Sequence, residues 1–205
     1  WLGISRNGRF AALTNYRDPA RNKDGAPSRG ELVSRFLTDL QSPEAYLAEL
    51  ESCANRYNGF NLVFGAPHGL WCFSNCGEGE KQLAPGVYGL SNHLLDTPWP
   101  KVARGKSALN AALRALPDET PLFTLLRDDS IAPDEALPRT GVSLEWERLL
   151  SAAFVRMPGY GTRSATVLLV DQAGNVRFIE QGFLPDAIPG ERREFAFAIP
   201  GPAIR

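Results

Sequence analysis

Three short runs of polar residues carry the side chains in this sequence best suited to hold a carbonyl or a carboxylate. They are Thr14-Asn15-Tyr16, Gly89-Leu90-Ser91-Asn92-His93 and Tyr160-Gly161-Thr162-Arg163-Ser164. Each falls at the end of an expected strand, and no solvated helix face accounts for it. An asparagine amide has two N–H donors and a guanidinium five, and strand ends are where sites are grafted onto a scaffold. The same residue types cap turns, which is the plainer account of each run taken alone. The two accounts differ in one respect: donors for a developing oxyanion must converge on a common point, so Asn15, Asn92 and Arg163 would have to meet from three distant parts of the chain.

Other patterns fail on their spacing. Arg104-Gly105-Lys106-Ser107 has the tail of a phosphate-binding loop, but Pro100 stands where that loop needs its first glycine. Gly77-Glu78-Gly79 has Gln82 in place of the third glycine of a dinucleotide turn. His68, Cys72, Cys76 and His93 are ligand types for zinc, yet Cys72 and Cys76 on a continuing strand would stand roughly 13 Å apart. Structural cysteines and no metal are therefore expected, and no motif calls for a cofactor. Ser91, His93 and Asp96 sit too close in sequence for a triad, whose members converge from different elements, so they read as a solvated loop. Phe60, Phe64, Trp71 and Phe73 alternate as strand residues do and read as core.

The elements that would position these residues follow from periodicity. A hairpin turns at Asn7-Gly8, with Trp1 already in its first strand and Phe10 to Asn15 in its second. Tyr16 to Pro27 is a loop. Ser28 and Glu31 suggest a capping box for a helix with Leu32, Val33, Phe36, Leu37 and Leu40 on one face. Ser42-Pro43 opens a second helix that stops at Asn58-Gly59. Strands at 60–64 and 70–73 flank Pro67-His68-Gly69, and 87–91 reads as another strand. A helix spans 100–116, the proline-rich stretch 117–141 contains one helical turn at 123–126, and a helix capped by Ser143 spans 144–154. A third hairpin joins 166–170 to 176–180, and 194–199 forms an edge strand. Hairpins and helices are segregated, so the class is α+β with antiparallel sheets.

Composition bounds the rest. The chain has 205 residues, 43% hydrophobic and 22% charged, with 22 basic and 23 acidic side chains and a net charge of −1. One domain over residues 1–205 is the expectation, with a core that needs no disulfide. Near-neutral charge excludes a general attraction to nucleic acid, and no apolar run has the length of a membrane span. Three cysteines and no signal-peptide pattern suggest reduced thiols in the cytoplasm. The opening Trp1 implies processing or a longer parent protein.

At the same three polar runs the chain resembles a known family. Trp1-Leu2-Gly3-Ile4 with Phe10 to Pro19, Tyr57-Asn58-Gly59-Phe60-Asn61-Leu62, Gly89-Leu90-Ser91-Asn92 and Tyr160-Gly161-Thr162-Arg163-Ser164 are similar to the transport and Golgi organisation protein family, also called the NRDE family. Its members carry a further N-terminal segment with a cysteine after the initiator Met and an Asn-Arg-Asp-Glu signature, both absent here. The resemblance implies the four-layer αββα sandwich of N-terminal nucleophile hydrolases, incomplete at its N-terminus. Loss of those strands would expose sheet edges, so the chain is expected to aggregate or to need a second chain or an oligomer.

More distantly, the bile-salt hydrolase and penicillin V acylase branch implies roles. Asn15 before Tyr16 and Asn92 after Ser91 would supply oxyanion amides. Arg163 would stand near the nucleophile, although the order here is Thr-Arg-Ser. The nucleophile itself, a cysteine using its own α-amine as base, would be none of Cys53, Cys72 and Cys76. The resemblance thus implies a hydrolase of amides or esters that is inactive as this chain. Its alternative is a non-catalytic module that binds or traffics heme or a lipid-like ligand, with His68 and His93 the only histidines for axial contact.

Overall fold

The computed structural model describes residues 1–67, 69–77 and 79–201, which form two compact units, 1–97 and 98–205. It is an α+β structure whose sheets are all antiparallel.

In the first unit a meander of five strands runs in chain order: β1 (Leu2–Ile4), β2 (Phe10–Asn15), β3 (Phe60–Ala66), β4 (Gly69–Ser74) and β5 (Gly79–Leu83). Strand residues alternate between faces, and here the alternation divides apolar bulk from polarity. Ala11, Leu13, Phe60, Leu62, Phe64 and Phe73 point to the face covered by α1 (Gly30–Thr38) and α2 (Pro43–Cys53), which contribute Leu32, Val33, Phe36, Tyr46 and Leu50. Phe36, Tyr46 and Phe64 meet in tilted and edge-to-face contacts, with ring centroids 5.0 to 5.4 Å apart. The opposite face carries Thr14, Asn61 and Ser74 on three adjacent strands. Both helices are stopped or started by local chemistry. Ser42 Oγ accepts from Ala45 N at 3.2 Å to cap α2, and buried Arg9 lies over the Phe36 ring and donates to the carbonyls of Phe36 and Gln41, both at 2.8 Å, where α1 ends.

In the second unit α3 (Pro100–Ala112), α4 (Thr120–Leu126) and α5 (Leu144–Leu149) accompany a three-stranded sheet. Its strands, in spatial order, are β10 (Pro189–Ala198), β9 (Asn175–Phe183) and β8 (Ser164–Val170), and a two-stranded ribbon of β6 (Arg156–Met157) and β7 (Tyr160–Gly161) precedes them. Val167 and Leu169 pack against Leu109, Ala112 and Leu122 of α3 and α4. Phe154 and Phe183 meet edge to face at 4.8 Å.

Five expectations from the sequence are corrected. Residues 87–91 are not a strand: Gly89 N donates to the Asp96 carboxylate and Gly89 O accepts from Asp96 N, both at 2.8 Å, so loop partners replace a ladder, and the edge strand is β5 instead. Ser28 and Glu31 form no capping box. Arg29 is the N-cap without a side-chain capping bond, its guanidinium donating instead to Gly59 O at 2.8 Å, and the Glu31 carboxylate accepts from the Tyr57 hydroxyl. Leu40 lies beyond the end of α1 and is 86% exposed. The helix expected to run to Phe154 stops at Leu149. Trp1 precedes β1, although its carbonyl accepts from Leu13 N at 2.8 Å. His68 lies outside the described residues. Among the described residues no helix is long and apolar enough to cross a membrane.

Candidate functional site

The first unit gathers two of the three polar runs at one end of its sheet. β2 ends at Asn15, and the next residue, Tyr16, keeps the chain against the start of β3 by donating its N–H to Gly59 O at 2.9 Å. Gly59 is required there. A Cβ at this position would stand 2.9 Å from Cys76 Sγ and 3.0 Å from Tyr16 Cβ, both closer than contact allows.

The loop at 84–97, which leads out of β5, brings the second run to the same place. Asn92 donates from Nδ2 to Asn15 O at 3.0 Å, and its own carbonyl accepts from Arg17 N at 2.7 Å. Arg17 Nη2 reaches Asn92 Oδ1 at 3.4 Å. One Nδ2 hydrogen of Asn92 is thus engaged on the backbone of Asn15. That contact closes a turn, as the plainer account requires, and it also brings two asparagines distant in sequence together.

Beside this pair stands a chain of polar groups that the sequence placed in a solvated loop. His93 is half-buried, with Nε2 2.7 Å from Tyr16 Oη and Nδ1 2.8 Å from Thr97 Oγ1. Thr97 directs its hydroxyl hydrogen to Leu94 O at 2.8 Å, so toward His93 it can only accept. That assigns the proton of the neutral ring to Nδ1 and makes Nε2 the acceptor of the Tyr16 hydroxyl. Burial pushes the His93 pKa down and the Tyr16 pKa up, so both groups are neutral at pH 7.

Asn61 anchors this chain from the sheet. It is fully buried and donates from Nδ2 to His93 O at 2.9 Å and to Thr14 Oγ1 at 3.1 Å. Because a carbonyl can only accept, the amide orientation is determined, and Oδ1 is sealed from solvent with no donor among the described residues. Such an acceptor costs about 1–3 kcal/mol. The signal for it was visible in the sequence: Asn61 is the one polar residue in Phe60-Asn61-Leu62-Val63-Phe64.

The thiols nearby are not activated. Cys72 is buried and its pKa is pushed up to about 11, and burial also raises that of Cys76. A nucleophilic cysteine needs the opposite shift. None of the three cysteines is disulfide-bonded.

Arg163 belongs to the second unit. Its carbonyl accepts from Phe183 N at 2.8 Å, and the residue lines a cleft of about 230 Å³ with Arg156, Tyr160 and Asp186. A larger cleft of about 580 Å³ lies between α3 and α4, bounded by Lys101, Arg104, Leu125 and Asp128.

The sequence as a whole matches one family, described as Transport and Golgi organisation 2, over residues 1–185. It is 42% identical over 201 residues to the Transport and Golgi organization protein 2 homolog of Bos taurus, covering 90% of this chain and 72% of the relative. Against the Homo sapiens homolog the identity is 39% over 215 residues, covering 97% of this chain and 78% of the relative. The Transport and Golgi organization protein 2 of Drosophila melanogaster is 27% identical over 203 residues, with 88% and 71% covered.

Proposed function

The chain belongs to the Transport and Golgi organisation 2 family, and from that premise we propose that it is part of an N-terminal-cysteine hydrolase acting on amide or ester bonds in the cytoplasm. In this reading Asn15 and Asn92 supply amide donors to the oxyanion, and Arg163 stands near the nucleophile. In this reading residues 1–205 are one family domain of αββα type.

The observation that carries the reading is the 3.0 Å contact of Asn92 with Asn15 at the end of β2. It leaves a second Nδ2 hydrogen of Asn92 able to donate, next to the neutral Tyr16–His93 pair. The raised pKa values of Cys72 and Cys76 support a nucleophile other than these. Heme or lipid-ligand trafficking is the competing reading. For His93 to become an axial heme ligand, a ring nitrogen would have to give up its bond to Tyr16 or Thr97.

The test is acyl-enzyme detection by mass spectrometry and ester turnover on the full-length protein. Asn92→Ala should lower kcat/KM by about 100-fold or more, near 3 kcal/mol of transition-state stabilisation. Absence of both acylation and turnover would remove the hydrolase reading.

A further inference from the structure

We propose that the cleft of the second unit lined by Arg156 and Arg163 is a binding site for a small organic anion, a carboxylate or phosphate carried on an aromatic or short aliphatic body. The inference goes beyond the hydrolase reading and shares only Arg163 with it.

Two turns build the cleft. The first is the ribbon of β6 and β7, closed by Thr162 N on Val155 O and by Val155 N on Thr162 Oγ1, both at 2.9 Å. Gly161 has no room for a side chain there, since a Cβ would stand 2.8 Å from Val155 O. Tyr160 is oriented by an edge-to-face contact with Trp146, with centroids 5.5 Å apart, yet remains 54% exposed. The second is the turn joining β9 to β10, where Asp186 and Ala187 are both left-handed, at φ 61°. Alanine rarely adopts that conformation, and such strain is commonly retained where a backbone must present a particular surface.

The charges point to the ligand. Arg104, Arg148, Arg177, Arg192 and Arg193 of this unit each hold a carboxylate within 3.4 Å. Arg156 and Arg163 have no hydrogen bond or ion pair from their side chains to any described residue, and both are exposed. Two guanidinium groups on one cleft match a carboxylate or phosphate, for which their planar donor forks are shaped. Asp186 adds one negative charge to the same wall, so the lining sums to about +1 and attracts an anion. Met157, Tyr160 and Leu184 offer apolar contact to the body. At about 230 Å³ the cleft falls below the range of drug-sized pockets, roughly 300–1,000 Å³, so the ligand is a fragment. The larger cleft lacks this signature, because Arg104 is already bonded to Asp128 at 2.9 Å and to Ser130 O at 2.8 Å.

Titration of the whole chain with benzoate, phenyl phosphate and benzamide, followed by amide NMR, tests the proposal. Benzoate and phenyl phosphate should each shift the amides of Gly159 and Gly161 saturably, and Arg156→Gln and Arg163→Gln should each raise the Kd for benzoate at least tenfold with an unchanged melting temperature. Uncharged benzamide should fail to saturate. Equal binding of benzamide, undiminished affinity in both arginine variants, or no saturable shift with benzoate would each overturn it. The measurement reads binding alone, so an inactive protein that binds benzoate sinks the hydrolase reading and leaves this one standing.

Discussion

His93 shows how a single side chain acquires a defined state from its neighbours. Thr97 accepts from Nδ1 and Tyr16 donates to Nε2, which specifies one tautomer, while Asn61 holds the backbone carbonyl. Burial lowers the pKa of His93, which means the folded chain binds fewer protons than the unfolded chain between the lowered value and the ordinary value of about 6.5. The stability associated with neutral His93 is therefore complete above pH 6.5 and is lost as pH falls through the folded value. An NMR titration of the imidazole should place its midpoint below 6.5. Tyr16→Phe should move that midpoint upward, because it removes a donor that favours the neutral ring.

Between elements, the turn from β9 to β10 is where local preference and observed backbone disagree most. Leu184 N donates to Ile188 O at 2.9 Å and closes the turn, which requires positive φ at Asp186 and Ala187. Aspartate tolerates this region, whereas alanine is strained there by about 1 kcal/mol. Ala187→Gly should accordingly stabilise the chain by about 1 kcal/mol in urea unfolding. The hairpins at Asn7-Gly8 and 171–175 were legible in the sequence because their turn residues accept positive φ without penalty. The strand expected at 87–91 was not, since the backbone N–H and carbonyl of Gly89 are both taken by Asp96 in place of a ladder, and periodicity carries no record of such a partner.

For the molecule as a whole, the balance of charge governs association. With 22 basic and 23 acidic side chains and an isoelectric point near 6.2, little repulsion separates copies near pH 6. Trp1 is 72% and Leu40 86% exposed. Light scattering should be greatest near pH 6.2 and fall toward pH 8.5, and Leu40→Lys should reduce it while leaving stability within about 0.5 kcal/mol, as for other surface changes.

The sequence alone determined the α+β class, most of the strands and helices, and the family, because hydrophobic period, turn residues and local motifs are written in neighbouring residues. It singled out Asn15 and Asn92 separately, as polar residues at strand ends. Only tertiary structure decided that Asn92 donates to Asn15 O, that His93 lies between Tyr16 and Thr97, and that the Glu31 carboxylate pairs with Tyr57 and not with its own helix start. Each of those choices sets one hydrogen-bond partner against another across the fold. Spacing along the chain cannot rank such partners, because their energies depend on burial and on which groups the packing has already engaged.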